Sequence, residues 1–307
     1  PAGEHDFTVE LCDWMGEPLA EETLKVRIID AELEKNDLIV TNWLHYDCIE
    51  AYYGEKIFSE GYYALLGKFM TSAFSHGINT VYTPLFTPPL DTQRGGERRT
   101  VQTVGVKATE EGYEFDFTEL EKFVKFARAR GAEYFELSHL ATQWGAQFCP
   151  KIMAEEHGEI KRIFGWDTPS TGEAYKSFLA AFLPRLVGRL KEWGIKDRCL
   201  LHISDEPSGA HLPTYLKLKE FIDVYAEGIP VADALSEYEF YRRKAVDLPV
   251  VDIYNTEPFR KNAVKHLVYY CCSNHKNYVS NRFFNMPSQR NRILGMQMYL
   301  NGAAGFL

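Results

Sequence analysis

The amino-acid sequence predicts an α/β fold, a (β/α)8 barrel of the TIM type cut short in its eighth strand. Three observations lead there. Strand-length apolar runs alternate with amphipathic helical stretches from residue 36 to residue 307. No hairpin signal links consecutive runs, so each strand is expected to lie parallel to the next and to be reached through a helix. The span also suits a closed barrel, typically about 250 residues. An open doubly wound sheet is the rival architecture, usually marked by a glycine-rich first strand-to-helix turn, and none follows Asp47.

The first strand is Asp37 to Asp47 (DLIVTNWLHYD), followed by a helix over Gly61 to His76. The second is Asn79 to Phe86, and a long Pro/Gly/Arg-rich loop then runs from Thr87 to about Gly112. A helix over Phe117 to Arg130 leads to the third strand, Glu133 to His139, and to a second long loop, Leu140 to Gly172. In the helix from Glu173 to Trp193, Phe178, Phe182 and Leu186 recur every fourth residue and mark a buried face. The fourth strand is Arg198 to Glu206, with a helix over Leu212 to Glu227. Strands five to seven are Pro230 to Leu235, Leu248 to Asn255 and His266 to Cys272. Their helices cover Glu237 to Ala245, Pro258 to Lys265 and Ser288 to Leu300, and Ala303 to Leu307 opens strand eight. Gly77, Gly131, Gly194, Gly228 and Gly302 sit where the helices must stop in a left-handed residue.

Residues 1–35 are expected to be a remnant or linker of a preceding β domain, because Thr23 to Leu33 alternates in strand fashion. A chain that starts at Pro1 and stops within a strand reads as a trimmed piece of a longer polypeptide. The 307 residues are 45% apolar and 14% aromatic, too hydrophobic for a disordered chain. Lys and Arg number 34 against 43 Asp and Glu, a net charge of −9, which argues against nucleic acid as a partner. No run of 18 apolar residues occurs, so no membrane partner is expected. Six cysteines lack regular spacing or a CxxC pair; Cys199 and the Cys271-Cys272 pair lie in apolar runs and read as core thiols. A cytoplasmic location follows as the expectation, with no metal and no cofactor.

In such barrels the active site lies at the carboxyl ends of the strands. Asn42, Trp43, His45 and Asp47 end strand one; His139, Gln143 and Trp144 follow strand three; Ser204, Asp205 and Glu206 end strand four. Asp233, then Asp252, Tyr254 and Asn255, then Ser273, Asn274, His275, Asn281 and Arg282 complete the rim. Amides and carboxylates for hydroxyls, with indole faces for pyranose rings, suit a carbohydrate site. The substrate-binding candidates are Asn42, Trp43, His139, Trp144, Asp233, Tyr238, Tyr254 and Asn281. His45, Asp47 and Cys48 read as ordinary strand-end residues rather than metal ligands, His202 as filling of the barrel interior, and Arg94, Arg98 and Arg99 as a solvated loop.

The sharpest signal is Leu200-Leu201-His202-Ile203-Ser204-Asp205-Glu206-Pro207, an apolar strand ending in two adjacent acids. Pro207 is expected to hold Glu206 extended. Two carboxylates in one partly desolvated cleft cannot both ionise easily, so one keeps a proton near neutral pH and can act as a general acid. Strand seven offers no second carboxylate, although the commonest barrel glycosidases place their nucleophile there. Three options stay open: Asp252 or Glu257 as nucleophile, attack by water, or a nucleophile supplied by the substrate's own 2-acetamido group.

Several blocks together resemble glycoside hydrolase family 123 and the wider glycoside-hydrolase-like group related to it. They are Thr41-Asn42-Trp43-Leu44-His45, Thr83-Pro84-Leu85-Phe86-Thr87-Pro88-Pro89-Leu90-Asp91, Ser138-His139-Leu140 with Gln143-Trp144-Gly145, and Phe164-Gly165-Trp166-Asp167. His202 to Pro207, Asp233-Ala234-Leu235-Ser236, Asn281-Arg282-Phe283 and Arg290 to Gly295 continue the likeness to the chain's end. The resemblance implies a barrel between β-sandwich domains and a β-N-acetylgalactosaminidase that acts by substrate-assisted, retaining catalysis. It further implies that Asp205 orients the acetamido group and Glu206 is acid and then base. An oligosaccharide or glycoconjugate would be the substrate, and flanking β domains of the same chain would complete the protein. A two-carboxylate glycosidase and a non-catalytic carbohydrate-binding protein are the rival functions.

Overall fold

A computed structural model describes residues 2–32, 37–276 and 279–307. The chain divides into two compact units, Pro1–Asp37 and Leu38–Leu307. In the first, β1 (Gly3–Cys12) and β2 (Pro18–Ile28) form an antiparallel hairpin. Phe7 pairs with Leu24 on one face, while Asp6 pairs with Lys25 and Glu4 with Arg27 on the other. The strand expected over Thr23 to Leu33 ends at Ile28, and the expected boundary at residues 35 and 36 lies outside the described residues.

The second unit opens with β3 (Ile39–Val40), far shorter than the run expected to Asp47, because the chain turns into α1 (Tyr46–Tyr53). Tyr46 and Ile49, one helical turn apart, bury that helix's inner face. There follow α2 (Glu60–Ser75), β4 (Thr80–Thr83), β5 (Gly105–Thr109), β6 (Gly112–Asp116), α3 (Thr118–Arg128) and β7 (Tyr134–Leu137). Next come β8 (Ile152–Glu156), β9 (Glu159–Phe164), α4 (Glu173–Glu192), β10 (Cys199–Leu201), α5 (Leu212–Tyr225), β11 (Ala234–Leu235) and α6 (Glu239–Arg242). The chain finishes with β12 (Val250–Asp252), α7 (Glu257–Lys261), β13 (Leu267–Tyr269), α8 (Gln289–Arg292), α9 (Leu294–Asn301) and β14 (Gly305–Phe306).

The two stretches expected to be loops contain structure. β5 pairs with β6 and β8 with β9, and the hairpins join as a four-stranded sheet ordered β6-β5-β8-β9. His157 and Gly158 both have positive φ, as a two-residue hairpin turn demands. The eight remaining strands all run parallel, in two sheets ordered β10-β7-β4 and β11-β12-β13-β14-β3. The closed barrel expected from the sequence is therefore not seen as one sheet. Between β3 and β4 the Asn79 side chain replaces the ladder: its Oδ1 accepts from Val40 N at 2.9 Å and its Nδ2 donates to Leu38 O at 2.8 Å. Between β10 and β11 a single parallel bridge joins Leu201 to Val231.

The long α4 packs as its periodicity predicts: Phe178, Phe182 and Leu186 are fully buried, with Phe86 in contact with both rings. Cys199 is buried, whereas Cys271 is half-buried and Cys272 exposed, because β13 stops at Tyr269, two residues before the first of the pair. At the other end of that sheet Gly305 has no space for a side chain; an added Cβ would sit 2.1 Å from the Ile39 carbonyl oxygen and 2.9 Å from Leu267. Backbone cannot yield as a flexible side chain would. Gly305→Ala is therefore expected to cost about 1–3 kcal/mol of stability, read as a lower midpoint in urea denaturation at unchanged slope; an unchanged midpoint would contradict this packing.

Candidate active site

The ladder of β10 ends at Leu201, three residues short of the acid pair, yet the chain beyond it is held on both sides. On one side Leu140 N and Ala141 N donate to His202 O and Ile203 O, at 3.0 and 2.9 Å, and Trp144 N donates to Asp205 O at 2.8 Å. On the other, the Asp233 carboxylate accepts from Ile203 N and Ser204 N at 3.0 Å each, and Glu206 N donates to Ala234 O at 3.1 Å. A side chain thus does what a neighbouring strand does elsewhere. Under this constraint Glu206 takes a left-handed conformation, φ 45°, rather than the extended one expected before Pro207. Such a conformation costs a non-glycine residue about 1–3 kcal/mol, and the bonds on both sides maintain it.

Asp205 and Glu206 stand at this strand end, both partly buried. Glu206 Oε1 accepts from the Tyr269 hydroxyl at 2.9 Å. No protein hydrogen-bond donor reaches the Asp205 carboxyl among the described residues. Burial, with the charges of Glu206 and Asp233, pushes the Asp205 carboxyl up to about 8. Burial and the neighbouring Glu206 likewise raise the Tyr269 phenol, so its hydroxyl keeps the proton it donates. One acid is a desolvated group awaiting a donor; its neighbour already has one.

Below the pair lies a fully buried polar cluster. His202 Nδ1 is 3.0 Å from Asp233 Oδ1, and its Nε2 is 3.4 Å from Glu136 Oε1. Glu136 Oε2 accepts from Thr41 Oγ1 at 2.6 Å and from Trp43 Nε1 at 3.0 Å. His139 stacks on His202 with ring centroids 4.6 Å apart, and its Nδ1 lies 2.9 Å from the Tyr82 hydroxyl. His139, His202 and Asp233 present donor atoms within 4.8 Å of one another, the only such group among the described residues. Asp233, however, already accepts from two backbone N–H groups and the Tyr215 hydroxyl and faces His202, so the set reads as a hydrogen-bonded ion cluster rather than a metal cradle.

The sequence-derived candidates divide accordingly. Trp144, 52% exposed, is tied by its backbone to Asp205, and Trp43, His139 and Asp233 form the buried floor. Trp144, Gly145 and Ala146 have successive positive φ values, and a Cβ on Gly145 would meet the His211 ring at 2.6 Å. Asn42 lines an apolar cleft against α2 with Phe69 and Met70. Tyr238 packs on Tyr241 and Phe259. Asn281 is buried, its amide donating to Cys271 O and Asn274 O, and the Tyr254 hydroxyl bonds the backbone of Lys276. The loop arginines are not simply solvated: Arg98 is half-buried in a two-point ion pair with Asp47, Arg99 meets Glu50, and Arg94 lies over the Phe148 ring.

Residues 43–307 match the family model for the glycoside hydrolase 123 catalytic domain. The chain belongs to glycoside hydrolase family 123. A solved family 123 glycoside hydrolase from Clostridium perfringens, studied for glycolipid glycan hydrolysis, superposes over all of this chain with a TM-score of 0.74 at 14% identity. The present chain spans 56% of that protein. A β-galactosidase from Bacillus circulans sp. alkalophilus matches over 80% of this chain and 48% of its own, at 12% identity and a TM-score of 0.47. No curated protein matches the chain.

Within this family 123 domain, sequence reasoning passed over Tyr269 and Glu136 and took His202 for filler. Tyr269 closes strand seven, the strand searched only for a carboxylate, and Glu136 is an acid inside a strand otherwise apolar from Phe135 to Leu137. The raised Asp205 carboxyl makes a prediction about stability. An unfolded aspartate titrates near 4, so between about pH 4 and 8 the folded state holds a proton that the unfolded state has lost. Stability attributable to Asp205 is present at the acid end and falls as pH rises through this window. Asp205→Asn should therefore melt above the unsubstituted protein at pH 8.5, by about 2 °C or more, and level with it near pH 4. Parallel pH profiles would contradict the assignment.

Proposed function

We propose that this family 123 domain is a glycosidase that removes a terminal β-linked N-acetylhexosamine, with N-acetylgalactosamine as the leading sugar, by substrate-assisted, retaining catalysis. In this reading its eight parallel strands work as one (β/α)8 barrel, with Asn79 and the Leu201–Val231 bridge closing the two seams. The observation that supports the mechanism best is the inequality of the two acids: Asp205 lacks a protein donor while Glu206 has one from Tyr269. A buried acceptor without a donor suits a substrate N–H, and the 2-acetamido group offers one beside the reacting carbon.

In this proposal Asp205, whose carboxyl is raised to about 8, carries the proton before substrate binds. When the acetamido N–H donates to Asp205, the anionic form of that acid gains, and the proton passes to Glu206. The acetamido oxygen then attacks the anomeric carbon as its bond to the leaving oxygen breaks, and Glu206 gives its proton to that oxygen. Asp205 carries the negative charge opposite the oxazolinium formed. Water next attacks the anomeric carbon from the vacated face, Glu206 takes its proton, the oxazolinium opens, and the β configuration is restored.

The rival carboxylates are engaged elsewhere. Glu257 pairs with Lys261 at 2.7 Å on α7, and Asp252 accepts from Tyr254 N at 2.8 Å and Asn274 Nδ2 at 3.1 Å. Matched aryl β-glycosides with and without the 2-acetamido group test the mechanism in the full-length protein. Turnover is expected only with the acetamido group, and comparable turnover of the plain galactoside would remove substrate assistance. Glu206→Gln and Asp205→Asn should each lower kcat/KM by about 10²–10⁴-fold, while Asp252→Asn should keep the greater part of it. The reverse ranking would favour a two-carboxylate mechanism, and binding without turnover a non-catalytic protein.

A further inference from the structure

We propose that Glu136, His202 and Asp233 form a buried ion triad around a charged His202, and that the triad positions Asp205 by clamping the segment that carries it. His202 is flanked by acids on both ring nitrogens. Each faces a carboxylate oxygen, Asp233 Oδ1 at 3.0 Å and Glu136 Oε1 at 3.4 Å, and all three side chains are fully buried. A neutral imidazole has one N–H and one lone pair, so it would turn a lone pair on one of these oxygens. The imidazolium avoids this, giving Asp233 a hydrogen bond and Glu136 an opposite charge rather than a lone pair. The longer contact is an ion pair without a full hydrogen bond, and Glu136 is anchored independently through Thr41 and Trp43.

Every element around His202 is consistent with a charge there. β7 supplies Glu136, and its continuation supplies His139, whose stacked ring is held neutral by burial and by the charge on His202. β4 supplies the Tyr82 hydroxyl, which meets His139, and the residue before β11 is Asp233, which also receives the Tyr215 hydroxyl from α5. From its own segment comes Asp205, three residues along. The two carboxylates outweigh the cost of burial and raise His202 to about 9. The triad acts on Asp205 in two ways: Asp233 clamps the backbone of Ile203 and Ser204, and the His202 charge opposes the repulsion from Glu206 and Asp233.

The catalytic meaning of this rests on the glycosidase reading, since Asp205 must become an anion as positive charge develops on the sugar. Its electrostatic content does not, and can be read without substrate. In the complete protein, ¹⁵N NMR of His202 at pH 7.5 should show both ring nitrogens protonated, and ¹³C NMR should follow the Asp205 carboxyl through its titration. His202→Gln should raise the Asp205 midpoint, because losing an opposite charge disfavours the carboxylate. Glu136→Gln, which leaves Asp233 and its backbone bonds intact, should lower the His202 midpoint and shift that of Asp205 by less. Should His202→Gln fail to fold, Glu136→Gln and the unsubstituted protein's ¹⁵N spectrum decide. A singly protonated His202 at pH 7.5, or an Asp205 midpoint unmoved in both variants, would overturn the triad. If the NMR shifts appear in a protein that turns over no glycoside, the triad stands and the glycosidase reading fails.

Discussion

Three bonds set the geometry of the acid pair: those from Ile203 N and Ser204 N to the Asp233 carboxylate, and the one from Glu206 N to Ala234 O. A parallel strand normally keeps its course through ladder bonds to both neighbours. β10 loses one neighbour at Leu201, and without a substitute the following residues would be held on one side alone. Asp233 is that substitute. Being short and rigid, it holds the chain at a fixed height and turns it, so the strain at Glu206 is carried by bonds rather than by flexibility.

The same carboxylate links geometry to charge. Asp205, Glu206, Asp233 and Glu136 place four acids around a small volume, and desolvated like charges repel strongly. Two features offset this. His202 lies between the two deepest acids, and burial with the neighbouring charges raises the Asp205 carboxyl to about 8, which favours its neutral form. The Tyr269 hydroxyl then distinguishes the remaining two, giving Glu206 a donor that Asp205 lacks. Two acids adjacent in sequence thereby become unequal in chemistry, as a division into orienting group and proton donor requires.

Much of this was legible in the residues. Asp205-Glu206-Pro207 after an apolar run marked a strand end, and the helix stops and the apolar stripe of α4 follow from glycine chemistry and a 3.6-residue period. The inserted hairpins were not legible as strands, because β9 is exposed over most of its length and shows little apolar alternation; the His157-Gly158 turn was the available sign. Tyr269 and Glu136 escaped for a different reason. Their roles arise from side chains meeting across the sheet from residues tens of positions away, which no local spacing encodes. Asn42 lines a cleft beside α2, and Tyr238 packs on Tyr241 of α6 and Phe259 of α7.

The central claim is that Asp205 receives an amide-like nitrogen while Glu206 faces the departing group. A crystal structure of the complete protein with an N-acetylhexosamine thiazoline, the stable likeness of the cyclised intermediate, addresses it directly. The account requires the ring nitrogen of the inhibitor within hydrogen-bond distance of Asp205, with the Glu206 carboxyl beside the anomeric carbon. An inhibitor bound away from both acids, or with its nitrogen on Asp252, would contradict it.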